Sequence, residues 1–181
     1  VTATPQAPSA RRTELLELAY EYVLRNGISG LSLRPLAEAI GSSPRVLLFL
    51  FGSKDGLVQA LLERAREEER VLVEQVRSGS GGVVEAAERI WAWLAAPEHR
   101  AILRLWVEGF GRSLVEPEGP WAGFAERSVT DWLEILASAG ADAETASAAL
   151  AVLRGGMLDL LATGDTERIT AAVHRALAAL R

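Results

Sequence analysis

The chain of 181 residues contains no cysteine. That absence excludes disulfides, iron–sulfur clusters, cysteine nucleophiles and thiolate zinc sites together. It has two histidines, His99 and His174, far apart and outside any HExxH spacing, so no metal and no cofactor is expected. Purely apolar runs are short, Val46–Phe51 being one of them. A bilayer span needs about 20 such residues, so no membrane partner is expected. The first 30 residues lack the apolar centre of a signal peptide, and a cytoplasmic protein is the expectation. No Ser–His–acid cluster or paired-carboxylate spacing is evident, and Gly109-x-Gly111 continues without a third glycine. An enzyme is therefore not expected.

What is present is an ordinary globular balance, 49% hydrophobic and 24% charged, with a mean hydropathy of +0.15. The net charge of −5 argues against an anionic partner, but the charge is unevenly spread. Residues 1–56 carry six basic groups (Arg11, Arg12, Arg25, Arg34, Arg45, Lys54) and five acidic ones, a net +1, and the rest carries −6. A small positive surface at the N-terminal end is compatible with nucleic acid.

The apolar positions recur at three- and four-residue spacings, and strand-like alternation is rare. The reading is all-α, with about nine helices. After a disordered tail at 1–10, helices are expected near 11–25, 33–40, 44–50 and 54–76, with Asn26-Gly27, Gly41 and Gly52 as stops. Ser32, Ser43 and Ser53 precede three of them as N-caps, and Pro44 takes the first helical position of the third. Beyond Ser78–Gly82, helices are expected near 83–95, 98–114, 120–138, 142–162 and 165–180, with Asp142 and Asp165 as caps.

Two short helices joined by a glycine turn outline a helix-turn-helix. Leu36, Ala37 and Ile40 would be buried, and Leu47 and Phe51 share a face by their i, i+4 spacing. The N-terminal end of the second helix offers free N–H groups and partial positive charge to phosphate. Arg45 is open between groove contact and an ordinary solvated arginine. Leu48, Phe49 and Leu50 are open between core and groove, since a short helix cannot bury every side.

The run SLRPLAEAIGSSPRVLLFLFGSKDGLVQALLERA resembles the DNA-binding domain of TetR-family transcriptional regulators. So do RRTELLELAYEYVLRNG at 11–27 and the Ser53-Lys54-Asp55-Gly56-Leu57 opening of the fourth helix. The resemblance implies a helix-turn-helix domain at 11–53, connected by the helix 54–77 to a ligand-binding and dimerisation domain within 54–181. It implies double-stranded DNA with a palindromic operator as partner, a homodimer, and a repressor released from its operator by a small organic ligand, which the aromatic, histidine-poor second part makes an apolar one. Ser32 and Lys54 would touch phosphate, and Ser42, Ser43, Arg45, Val46 and Phe49 would lie at the major groove. One departure is that Leu48 stands where the family commonly has tyrosine, so a phosphate hydrogen bond is missing. That leaves a second function open: a helical small-molecule-binding protein with weakened or lost specific DNA binding.

All five tryptophans lie beyond residue 90. Trp91 and Trp93 point in nearly opposite directions on a helix, so they cannot both face one cavity. Trp106, Phe110, Trp132 and Met157 are the expected pocket lining, with core packing as the alternative. Glu108 is the expected polar group of that pocket, with Arg112 as a second candidate; the alternative for Glu108 is an exposed ion pair with Arg104 or Arg112. Small and apolar residues on the last two helices, Val152, Gly155, Gly156, Val173 and Leu177, suggest a dimer interface, with packing inside one protomer as the alternative.

Overall fold

The computed structural model describes residues 10–78, 81–116 and 118–180. The expected tail, apart from Ala10, lies outside the described residues, as do residues 79–80 of the Ser78–Gly82 loop. Among the described residues there are nine α-helices and no strand. They are α1 (Ala10–Asn26), α2 (Leu33–Ala39), α3 (Pro44–Phe51), α4 (Lys54–Ser78), α5 (Val83–Ala95), α6 (Arg100–Val115), α7 (Phe124–Ser138), α8 (Ala143–Thr163) and α9 (Thr166–Ala178).

The helix ends follow from local chemistry. Ser43 accepts from Val46 N at 3.3 Å, Asp142 from Thr145 N at 2.8 Å and Asp165 from Arg168 N at 3.1 Å. Each satisfies an N–H that the helix itself leaves unpaired. Ser53 accepts from Gly56 N at 2.9 Å. Ser32 differs: it stands in the N-cap position of α2, but its hydroxyl makes no capping bond. Gly41 and Gly52 take φ of +63° and +78°, so the turns that bracket α3 use backbone conformations that side chains disfavour.

Two cores result. The first joins α1, α2 and α3 to the opening turns of α4 through Leu15, Leu36, Leu47, Phe51, Leu57 and Leu61. Leu105 of α6, with Trp121 and Phe124, completes it. The second joins α5, α7, α8 and α9 around Trp91, Leu136, Leu153 and Leu160, and takes Leu103 from α6. Helix α6 therefore contributes one buried side chain to each core, with Trp106 packed against both. Gly109 permits this close fit, since a Cβ there would lie 3.3 Å from Phe124 and 3.4 Å from Trp121. Trp121 belongs to the first core although its sequence position falls in the second part, so tryptophan emission reports on both.

Two expectations change here. Helix α8 is long and apolar enough, by length and composition, to cross a membrane, with a window mean hydropathy of 1.3. Its apolar residues do not form one uninterrupted run, because Arg154 and Asp159 break it. In the fold α8 packs on α5, α7 and α9 and buries Ala149, Leu153 and Leu160 against them.

The second change concerns the expected interface. Val173 and Leu177 are buried inside the protomer, and Gly156 faces inward against Val173 and Trp91. Their small or apolar character serves α9 packing onto α5 and α8. Gly155 is exposed and Val152 half-buried. A Cβ at Gly156 would sit 2.6 Å from Val173 Cγ2 and 3.0 Å from Trp91. Gly156→Ala is thus expected to cost about 1–3 kcal/mol by overpacking, and Val173→Ala in the same chain should recover part of it. Denaturant midpoints check this; an unchanged midpoint for the single variant contradicts the packing described.

Candidate DNA-reading head and ligand cavity

Helix α3 divides its residues by face. Leu47 and Phe51 are buried, and Arg12 holds the end of the helix through the Leu50 carbonyl at 3.3 Å and the Phe51 ring at 4.9 Å. The opposite face carries exposed Arg45, Val46 and Leu48, with Phe49 86% exposed. The open choice for this helix therefore resolves outward for Leu48 and Phe49, while Leu50 is half-buried. Val46, Leu48 and Phe49 make a contiguous exposed apolar patch on α3, the kind of surface that a partner covers. Ser32 and Lys54 are exposed on neighbouring helix starts.

The serines of the turn are less available than expected. The Ser42 hydroxyl is buried, which removes it from the outward surface and corrects its expected place at the groove. The Ser43 hydroxyl is occupied in capping α3. Arg45, Val46, Phe49, Ser32 and Lys54 remain as the outward set.

In the second core, a cavity lies between α5, α6, α7 and α8, with about 20 Å³ of free space, room for about one water. Trp106, Trp132 and Met157 line it, with Trp93, Leu150 and Arg154 among the others. Trp93 and Trp91 do point apart: Trp93 faces the cavity and stacks on His99 at 3.9 Å, while Trp91 donates to Thr170 Oγ1 at 3.1 Å. Trp106 donates from Nε1 to Ser128 Oγ at 3.0 Å, which fixes its ring on α7. Phe110 does not line the cavity; it packs on Trp106 with ring centroids 4.9 Å apart. Arg154 was not anticipated, although a single arginine within Ala148–Met157 was a signal available in the sequence.

Glu108 also lies elsewhere than expected. Its carboxylate accepts from Ile28 N at 2.9 Å and from Ser29 N at 2.6 Å. It neither lines the cavity nor pairs with Arg104 or Arg112. Arg112, the other expected polar group of the pocket, instead donates to Ser29 Oγ at 3.3 Å and pairs with Glu116. So α6 grips the turn between α1 and α2 with two side chains. The turn is open to them because Gly27 takes φ of +77° and leaves space beside Glu108. The partners are backbone N–H groups about 80 positions away, which no side-chain pattern reveals. Further ties bind α4, with Arg64 to Glu17 of α1 at 2.8 Å and Arg66 to Asp131 of α7 at 2.6 Å. The Glu17 carboxylate raises the pKa of Arg64, which stays charged.

No family model and no curated protein matches this chain. Solved structures do. A protein from Rhodococcus sp. assigned to the TetR family of transcriptional regulators superposes with a TM-score of 0.77 at 20% identity, covering 95% of this chain and 99% of the other. The multidrug binding protein EbrR complexed with imidazole gives 0.70 at 23% identity, covering 93% and 90%. A protein from Saccharomonospora viridis assigned as a transcriptional regulator, in complex with choline, gives 0.73 at 17% identity, covering 92% and 95%.

The chain has the TetR-family fold.

Within that fold, α1–α3 form the head and α5–α9 the body, and α6 runs between cavity and head. Glu108 is the joint. Glu108→Ala leaves the Ile28 and Ser29 N–H groups without their acceptor and is expected to cost about 1–3 kcal/mol. Glu108→Gln keeps one acceptor oxygen and should lose less. Chemical denaturation checks both, and an unaltered midpoint for the alanine variant contradicts the joint.

Proposed function

We propose that this chain is a dimeric DNA-binding transcriptional regulator of the TetR family, a repressor released from a palindromic operator by a small organic ligand. The observation that carries the reading is the position of α6. Trp106 on this helix lines the cavity, and two residues later Glu108 holds the head. A free space of about 20 Å³ is far below the 300–1,000 Å³ of a pocket for a drug-sized ligand, so a guest must spread the helices around it. Movement of α6 to admit the guest would strain the two bonds at Glu108 and turn the head. Ligand and operator then weaken each other by one coupling factor. Solved relatives in complex with imidazole, proflavin and choline support a small-molecule site in this fold. A cytoplasmic location accompanies this function.

The head reads DNA with Arg45, Val46 and Phe49 of α3 in the major groove, Arg45 supplying polar contact and the apolar pair meeting thymine methyl groups. Ser32 and Lys54 hold phosphate; the uncapped Ser32 hydroxyl is free to do so. Selection of bound DNA from a random pool tests the function and gives the half-site spacing. Arg45→Ala is expected to cost about 1–3 kcal/mol on the selected site and relax its specificity. Lys54→Ala should weaken all sequences alike and lower the salt slope by about one. Fluorescence anisotropy at two salt concentrations measures both, and parental behaviour in both variants contradicts this docking.

The dimer uses the outward stripe of α8. Ala151, Gly155, Leu158 and Ala162 are exposed at helical spacing, and Leu158 is 49% exposed. Small residues there allow two copies of α8 to approach closely. Leu158→Glu is expected to give a folded monomer by sedimentation; an unaffected dimer places the interface elsewhere.

A second reading is a helical small-molecule-binding protein that has lost specific DNA binding. The exposed Leu48 and Phe49, with no hydroxyl at position 48, favour it. DNA selection that enriches no sequence would decide for it.

A further inference from the structure

Arg154 is unusual among the arginines of this chain. It projects from α8 into an otherwise apolar cavity wall built by Trp93, Trp106, Trp132, Leu153 and Met157. Its guanidinium carbon lies 5.5 Å from the Trp106 ring centroid and 5.1 Å from that of Phe110. Both distances are within cation–π range. Nε and Nη2 are both buried and have no hydrogen-bond partner among the described residues. These two nitrogens form one edge of the guanidinium, with N–H bonds that run side by side. That edge matches the two oxygens of a carboxylate.

The geometry points to Arg154 as the recognition residue for an organic carboxylate, a monoanion with a flat aromatic or aliphatic body held among the tryptophans. This specifies the ligand class of the site and rests on reading the cavity as the ligand site. Burial lowers the Arg154 pKa by desolvation, yet an arginine remains charged at neutral pH. Arg154 is half-buried, and the edge made by Nε and Nη2 is shut off from water without a partner, a cost that a carboxylate would relieve on binding. A neutral guest would leave it in place, and a cation of the same shape would add repulsion. The site therefore selects by charge as well as by shape. The aromatic rings that clamp the guanidinium belong to α6, so a carboxylate that draws Arg154 toward itself also acts on the helix that carries Glu108.

The test uses the full-length protein and calorimetric titration with 2-naphthoate and its neutral isostere 2-naphthamide. The parent is expected to bind naphthoate about tenfold or more tighter than naphthamide. Arg154→Met should bring the two affinities together through loss of naphthoate binding. It should also keep the melting temperature of the ligand-free protein, because two unbonded buried N–H groups of a half-buried side chain are replaced by an apolar chain of similar length. Arg154→Lys, which keeps the charge but loses the fork, should fall between them. Equal binding of the two compounds by the parent, no binding of either at millimolar concentration, or unchanged preference in Arg154→Met overturns the assignment. Operator affinity measured in the same samples separates the two readings. Naphthoate preference with no change in operator affinity keeps the carboxylate site and removes the switch. A neutral ligand that releases operator keeps the switch and removes the carboxylate site.

Discussion

The Glu108 carboxylate, bound by the Ile28 and Ser29 amides, is the interaction on which the relation between head and body rests. A carboxylate accepting two backbone N–H bonds is both strong and directional. It fixes the α1–α2 turn relative to α6 in a way that apolar packing alone would leave free to slide. Leu105 and Gly109, one turn apart on the same helix, seat α6 against the first core. Leu103, on its other side, belongs to the second core, and Trp106 packs against both cores and lines the cavity. One helix thus touches both the cavity and the head with no intervening chain of contacts.

The cavity is small because its walls are large. Three tryptophans and Met157 fill the space between four helices, and the one charged group among them finds its neighbours in ring faces. Packing of this kind does not deform by degrees; it holds one arrangement until something displaces a side chain. In the function proposed above, an occupied cavity would be a second arrangement in which α6 is displaced. The outward face of α3 is the other place where the fold leaves work undone. Phe49 stands in solvent on a helix whose inner face is fully packed, an arrangement that makes sense when a second surface covers it.

Much of this was legible in the sequence because it is local. Ser43, Asp142 and Asp165 cap the helices that follow them, and Leu47 and Phe51 share a face by spacing alone. Trp106, Trp132 and Met157 each lie on the apolar stripe of their helix, and those stripes meet at one cavity. Glu108 was misread because its partners are amides, which every residue carries, brought near by the fold. Arg154 was overlooked because an arginine between apolar residues reads as a surface position until the neighbouring helices are in place. Gly156, Val173 and Leu177 pack inside the protomer rather than on its surface, and the sequence does not reveal this for a related reason. Small residues mark close helix approach, and their spacing carries no information on whether the second helix belongs to the same chain.

The central claim is mechanical: enlarging the contents of the cavity moves α6 and loosens its hold on the α1–α2 turn. Leu150, 6% exposed and in the cavity wall on α8, offers a ligand-free way to do so. Leu150→Phe adds volume where little space exists and stands in for a guest. Amide hydrogen exchange at Ile28 and Ser29 reads the response directly. Faster exchange at these two amides than in the parent, with the head helices otherwise protected, is the expected result. Unchanged exchange at both, in a protein that stays folded, would contradict the link between cavity and head.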